Sequence, residues 1–384
     1  MLKIETYEAQ ERKAIAQLPN RVVEMVQPVT FSTVGYPTRV SGEKELWKYL
    51  DCMHETRFEQ DFENLIGGGI TESEFELLKK TATLALEFSL HNYNRKLTTR
   101  GSLLRALHVY RCIKDIFGNT PGRVFEIGPG SGYLGNLFLL TGWGYAASDI
   151  TQAFYLIQNQ LWNYLKEEKV KDLAEDPTWD TTIPLGTAVH LPWWDFYDLL
   201  NRNIPSVDIV TCNHALVEMH PNSLRYMLRV AKKMLSGSGI KAFVFEGWGN
   251  DLLVKHSQVT EQFYKAGFRL VHNDDKITIF VPKDNQYSHP AANLPFRFAI
   301  KQRVIPALKA RLGFSSNISR FSPPKISMTQ NTLSQNVLVG HNRRCAEKLI
   351  RIEEVNKFYT DLLNTDDFRT PDEVFCDLIG INYH

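Results

Sequence analysis

Val124-Phe125-Glu126-Ile127-Gly128-Pro129-Gly130-Ser131-Gly132 decides how this chain folds. A short apolar strand runs into glycines at alternate positions, and an apolar helix over 132–140 follows. Glycines directly after a strand let the backbone pass close to a ligand, while the N–H groups of the next helix face the same space. The run therefore reads as a nucleotide-type pocket. A dinucleotide-binding G-x-G-x-x-G would need its third glycine at position 133, where Tyr133 stands, so a nicotinamide oxidoreductase is disfavoured. What stands instead is acid-x-G-x-G-x-G, with the acid, Glu126, in the strand end just ahead of Gly128, Gly130 and Gly132.

Outward from this loop, hydrophobic period and breakers predict alternating elements. Strands are expected at 123–127, 144–148, 207–211, 241–246, 268–272 and 276–281, with helices at 132–140, 154–166, 223–235 and 259–266. Such alternation gives an α/β fold with a mostly parallel sheet covered on both faces. Only His272-Asn273-Asp274-Asp275 separates the last two strands, a connection that joins antiparallel neighbours.

Upstream, residues 1–120 read as a mainly helical N-terminal domain for substrate covering or oligomerisation, with helices at 43–64, 72–91 and 102–117. Thr71 and Glu74 form a capping box, and Gly67-Gly68-Gly69 reads as the connector before it. Residues 121–282 form the central domain. Residues 283–384 read as a C-terminal extension, irregular and then helical at 343–363, that covers the sheet edge as a lid.

The 384 residues, 43% hydrophobic, are enough for a large core. With 44 basic against 43 acidic residues no long-range field gathers phosphates or anionic lipid, so neither nucleic acid nor a membrane is the expected partner. Cys52, Cys112, Cys212, Cys345 and Cys376 form no C-x-x-C pair and read as reduced thiols. With no apolar leader or spanning run, a cytoplasmic protein is expected.

The acid-led glycine run resembles motif I of class I S-adenosylmethionine-dependent methyltransferases. The resemblance spans about residues 120–282 and implies a Rossmann-like sheet with an antiparallel last strand. It implies S-adenosylmethionine as cofactor, and a carboxylate suits that cofactor's ammonium and sulfonium charges. Asp149, at the end of the next strand, matches the acid that accepts from ribose hydroxyls, or else caps the following helix. Gly186-Thr187-Ala188-Val189-His190-Leu191-Pro192 looks like the family's adenine loop, with Thr187 where an acid is common. That leaves backbone contacts at Ala188, the apolar face of Val189, and Trp193. Cys212-Asn213-His214 is similar to the motif after the fourth strand, which implies cofactor contact at Asn213.

Ligands of open α/β sheets lie past the carboxyl ends of the strands, which singles out His214 and Glu246. Methyl transfer to a hydroxyl needs the acceptor held in line and one base. His214 either serves as that base or hydrogen-bonds loop backbone. Glu246, beside Gly247 and Gly249, is either a base or the ion-pair partner of Arg100 or Arg105. His214, Glu218 and His220 lack metal-site spacing, and Asp274 and Asp275 read as turn formers, so no metal is expected. Trp193, Trp194 and Trp248 read either as stacking surfaces or as core.

The whole-chain layout, with His91-Asn92-Tyr93-Asn94-Arg95 ahead of the central domain, looks like the bacterial sugar O-methyltransferases. That implies a small-molecule acceptor bearing a sugar hydroxyl, in natural product biosynthesis. Another small metabolite, a non-catalytic cofactor-binding module and a homo-oligomer are the other expectations.

Overall fold

The computed structural model describes residues 2–26, 39–40, 42–43, 46, 69–96, 99–118, 120–166, 170–248, 254–274, 277–285 and 332–363. Most of the predicted helix over 43–64, Gly67, Gly68, Gly249, Asp275, Cys52 and Cys376 lie outside the described residues.

Two helices outside those expected come first, α1 (Ile4–Ile15) and α2 (Asn20–Val26). A short strand, β1 (Ile70–Thr71), leads into α3 (Glu72–Tyr93). The capping box forms as expected: Thr71 Oγ1 accepts from the Glu74 N–H at 3.3 Å and Glu74 Oε2 accepts from the Thr71 N–H at 2.9 Å. The helix ends where Asn94 turns left-handed at φ 52°. After α4 (Arg100–Phe117) the chain enters the sheet.

In chain order the sheet region is β2 (Arg123–Ile127), α5 (Tyr133–Leu140), β3 (Gly144–Asp149), α6 (Gln152–Lys166), β4 (Val170–Asp172), β5 (Ala188–Pro192), α7 (Trp193–Phe196), β6 (Ile209–Thr211), α8 (Pro221–Met234), β7 (Ala242–Phe245), α9 (His256–Lys265), β8 (Phe268–Asn273) and β9 (Thr278–Pro282). Two further helices, α10 (Thr332–Cys345) and α11 (Ile352–Leu363), flank β10 (Leu349–Ile350).

Eight strands lie in the order β4-β5-β3-β2-β6-β7-β9-β8. All neighbours are parallel except where β9 inserts antiparallel between β7 and β8. This is a Rossmann-like fold with the expected reversed strand. From β2 the chain winds outward first through β3 and β5, then through β6 and β7. The order thus reverses between β2 and β6, the place where such sheets open a crevice at their carboxyl ends.

Both sheet faces are buried, as parallel sheets require. Because successive side chains alternate, Val124, Tyr145 and Ala147 join one core cluster with α3, α4, α5 and α6. Phe125, Ile127, Ala146, Val210 and Phe243 join the other with α8 and α9. The first cluster takes in Leu78 and Leu107 as well as Val124.

The C-terminal segment differs from the single helix expected over 343–363. Leu349 and Ile350 pair antiparallel with Thr71 and Ile70, and this extended pair separates α10 from α11. Asp115 of α4 holds Arg344 at 2.5 Å and Arg343 at 3.5 Å, and Thr99 meets Tyr359 at 2.9 Å. These helices pack on α3 and α4, with α10 also reaching the edge strand β8.

Candidate functional site

The glycine loop takes the shape its residues permit. Gly128, Gly130 and Gly132 have φ of 67°, 56° and 77°, a region in which an L side chain is strained. A Cβ on Gly128 would meet nothing nearer than the Ala215 methyl at 3.7 Å, so this turn has room in front of it. Gly132 also serves packing: Trp162 Nε1 donates to its carbonyl at 3.0 Å, and a Cβ there would lie 3.2 Å from Gln158 and Trp162. Gly135, one turn into α5, presses against β3, where a Cβ would fall 2.7 Å from the Tyr145 ring.

Glu126 is buried in β2 beneath this loop. One carboxylate oxygen accepts from the Tyr145 hydroxyl at 2.6 Å and the other from Asn213 Nδ2 at 3.3 Å. Burial drives its pKa up, the two hydrogen bonds hold it down, the Asp149 charge raises it again, and it settles at about 7. A buried acid so poised gains from a cation placed beside it. Asn213 also accepts from the Glu246 N–H at 3.0 Å, tying the end of β6 to the end of β7.

Asp149 closes β3 at 4% exposure, facing the loop. Its Oδ1 accepts from the Thr151 N–H at 2.9 Å, a turn ahead of α6 rather than a cap on the helix, which begins at Gln152. Its Oδ2 accepts from Gln158 Nε2 at 2.9 Å and from the Gly130 N–H at 3.4 Å. Burial raises its pKa, and these donors oppose the rise.

His214 and Glu246 come together. The imidazole Nε2 lies against Glu246 Oε2, and the His214 N–H reaches the Glu246 and Gly247 carbonyls, each at 3.3 Å. His214 adopts φ 57°, an uncommon conformation for a non-glycine residue. Gly247, at φ 64°, leaves space for the ring, since a Cβ there would fall 2.0 Å from His214 Cε1. His214 keeps a third of its side chain exposed while Glu246 keeps 9%. Burial pushes the Glu246 pKa up, but the His214 hydrogen bond and the positive fields of His214, Arg105 and His108 outweigh it and leave the acid below its ordinary value. Of the two arginines considered for Glu246, Arg105 thus lies within its field, whereas Arg100 donates to Asn356 at 2.8 Å.

Ala188 and Val189, expected in an adenine loop, lie instead within a strand. Both residues are in β5, paired with Tyr145 and Ala146 in its amino-terminal half, and are 0% and 2% exposed. The carboxyl end of β5 is Pro192, so the residues placed beside Asp149 are Pro192 and the start of α7. Trp193 and Trp194 are buried there. Trp193 Nε1 donates to Glu11 at 2.7 Å, and Trp194 meets Tyr7 edge-on at 5.0 Å. Trp248 is half-buried against Phe245 at 4.8 Å.

Tyr7 and Glu11 of α1 and Gln158 behind the loop are not among the residues expected at the site, and His190, expected in the adenine loop, lies buried beside Gln158. The three-and-four spacing of Ile4, Tyr7 and Glu11 is the signal that would have located α1. His220 caps α8, accepting from the Asn222 N–H at 3.2 Å. Asp274 Oδ1 accepts from the Ile277 N–H at 2.7 Å, as a turn former does. Among the described residues no three His, Cys, Asp or Glu side chains gather as a metal site. Nor is any described helix long and apolar enough to cross a membrane.

No protein-family model matches this sequence, and no curated protein matches it either. Similar solved structures include a TehB-like SAM-dependent methyltransferase from Corynebacterium glutamicum, at 13% identity over 46% of this chain and 87% of that one, with a TM-score of 0.33. The magnesium protoporphyrin IX methyltransferase of Synechocystis PCC 6803 is similar at 11% identity over 56% and 98%, with a TM-score of 0.30. A glycopeptide N-methyltransferase complexed with S-adenosylmethionine gives 10% identity over 45% and 85%, with a TM-score of 0.31. Likeness of this degree concerns the fold alone, and the chemistry rests on the residues described above.

Proposed function

We propose that this protein is an S-adenosylmethionine-dependent methyltransferase acting on a hydroxyl of a small molecule. The observation that carries the reading is the left-handed glycine turn set between two buried acids, Glu126 and Asp149, at the point where the strand order reverses. The residues fit the cofactor's chemistry. Glu126 would hold the ammonium end, the loop would let the chain pass closely, and Asp149, with one lone pair on Oδ1 beyond those used by Thr151, Gln158 and Gly130, would accept from the ribose. When bound, the cofactor supplies an electrophilic methyl group.

The chain's own contribution is to hold the acceptor and take its proton. His214 is exposed enough to meet a hydroxyl, and Glu246 keeps the imidazole oriented and balances the charge that it gains. His214 is accordingly the base and Glu246 its positioning residue. A sugar or glycosylated metabolite is the acceptor class to test first, on the resemblance in layout.

Calorimetry with S-adenosylhomocysteine and with NAD tests the cofactor assignment; binding of NAD alone ends it. Incubation with sugar nucleotides and glycosylated metabolites, read by mass spectrometry as the gain of one methyl group, tests the acceptor.

A further inference from the structure

The middle of α6 passes behind the glycine loop, and there one fully buried carboxamide joins both halves of the site. Gln158 Nε2 donates to the Gly130 carbonyl at 2.8 Å and to Asp149 Oδ2 at 2.9 Å. Neither partner can donate in return, because a carbonyl has no hydrogen and an ionised carboxylate only accepts. The amide orientation is therefore fixed, and Gln158 Oε1 faces His190 Nε2 at 3.2 Å.

His190 has no freedom to turn. It is 0% exposed, stacked on Tyr155 with centroids 3.6 Å apart and an interplanar angle of 11°, and Trp162 crosses it at 4.8 Å. Tyr155 in turn donates to Asp172 at 3.0 Å. A rigid β5 imidazole thus sets the carboxamide, and the carboxamide sets the loop and the acid.

From this geometry we infer that Gln158 is a positioning residue for the cofactor, fixing the separation of Gly130 and Asp149 and aiming the spare lone pair of Asp149 Oδ1 at the ligand, with His190 fixing Gln158. The inference rests on the proposed cofactor. Without Gln158 the Gly130 carbonyl and the Asp149 carboxylate, two negative ends, lose the donor they share, and the long Gly130 N–H contact to Asp149 Oδ2 at 3.4 Å is left to work against their repulsion. Repulsion then spreads the two groups that must grip one ligand.

The test is calorimetric binding of S-adenosylhomocysteine to the full chain. Gln158→Leu should bind about tenfold more weakly or worse, the scale of one lost charge-assisted hydrogen bond. Gln158→Glu, which sets a second carboxylate against Asp149, should bind no better than Gln158→Leu. His190→Phe should weaken binding although it touches no ligand, and His190→Gln, which restores an N–H toward Gln158, should recover part of it. Because Gln158 acts through Asp149, the double variant Asp149→Ala, Gln158→Leu should bind little worse than Asp149→Ala alone.

Binding by Gln158→Leu within twofold of wild type overturns the proposal, and so do losses that multiply in the double variant. If Gln158→Leu does not fold, the His190 pair decides: equal binding by His190→Phe and wild type overturns it. Failure of wild type to bind S-adenosylhomocysteine instead removes the cofactor reading, and this proposal with it.

Discussion

His214 Nε2 lies against Glu246 Oε2, so two groups that the sequence offers as rival bases form a single unit across the ends of β6 and β7. The more exposed member can meet a substrate, and the buried member can only orient and balance charge. His214→Ala should therefore lower turnover by roughly 10²–10⁴-fold, the range for a general base, while S-adenosylhomocysteine binds as before. Glu246→Gln should cost roughly tenfold or more by the same assay, because the amide keeps the shape and loses the charge. Full turnover in His214→Ala would take that residue out of the mechanism.

Gly247→Ala tests the same pair without altering either member. The new methyl would fall 2.0–2.7 Å from the His214 ring and would sit on a left-handed backbone at φ 64°. The ring must leave Glu246. Turnover should drop toward that of His214→Ala, and cofactor affinity should hold because the glycine loop is untouched. Wild-type turnover in Gly247→Ala would show that the His214–Glu246 contact is dispensable.

What the sequence made legible and what it hid follow from the range of the interactions. The glycine turn, the capping box at Thr71 and the strand at 123–127 are set by residues within a few positions of one another, and each formed where expected. β5 escaped because His190 interrupts an otherwise apolar run, and its burial depends on Tyr155, Gln158 and Trp162 from a helix far away in sequence. α1 escaped because Glu11 lies on its buried face, satisfied by Trp193 and by Arg39. His214 and Glu246 could each be chosen for position past a strand end. Their pairing required β6 and β7 to be neighbours in register, Ile209 with Ala242, which local pattern does not contain.

Gly135→Ala tests how closely α5 is pressed to β3. Its methyl would fall 2.7 Å from the Tyr145 ring and 3.0 Å from Trp162, both buried, so rings or helix must shift. Overpacking of this kind costs about 1–3 kcal/mol, which denaturant unfolding would resolve. Because Tyr145 also donates to Glu126, cofactor affinity should fall as well. Unchanged unfolding would mean that the helix has slack the distances do not show.

Glu126 should make both stability and cofactor binding depend on pH, in opposite senses. Its folded-state pKa of about 7 lies above the 4.5 of an unperturbed glutamate. Between those values the folded protein holds a proton that the unfolded chain has lost, so this group's contribution to stability is full below the lower value and fades as pH rises through the upper one. A ligand ammonium beside the carboxylate favours its ionised form, so binding should release a proton and tighten between about pH 5.5 and 7.5. Calorimetry in buffers of different ionisation enthalpy counts that proton. Glu126→Gln should abolish both the release and the tightening, and Tyr145→Phe, by removing a hydrogen bond that holds the pKa down, should move the tightening to higher pH. Binding to wild type that takes up no part of this pattern, flat in pH and silent in proton count, would place the ligand's cation somewhere other than at Glu126.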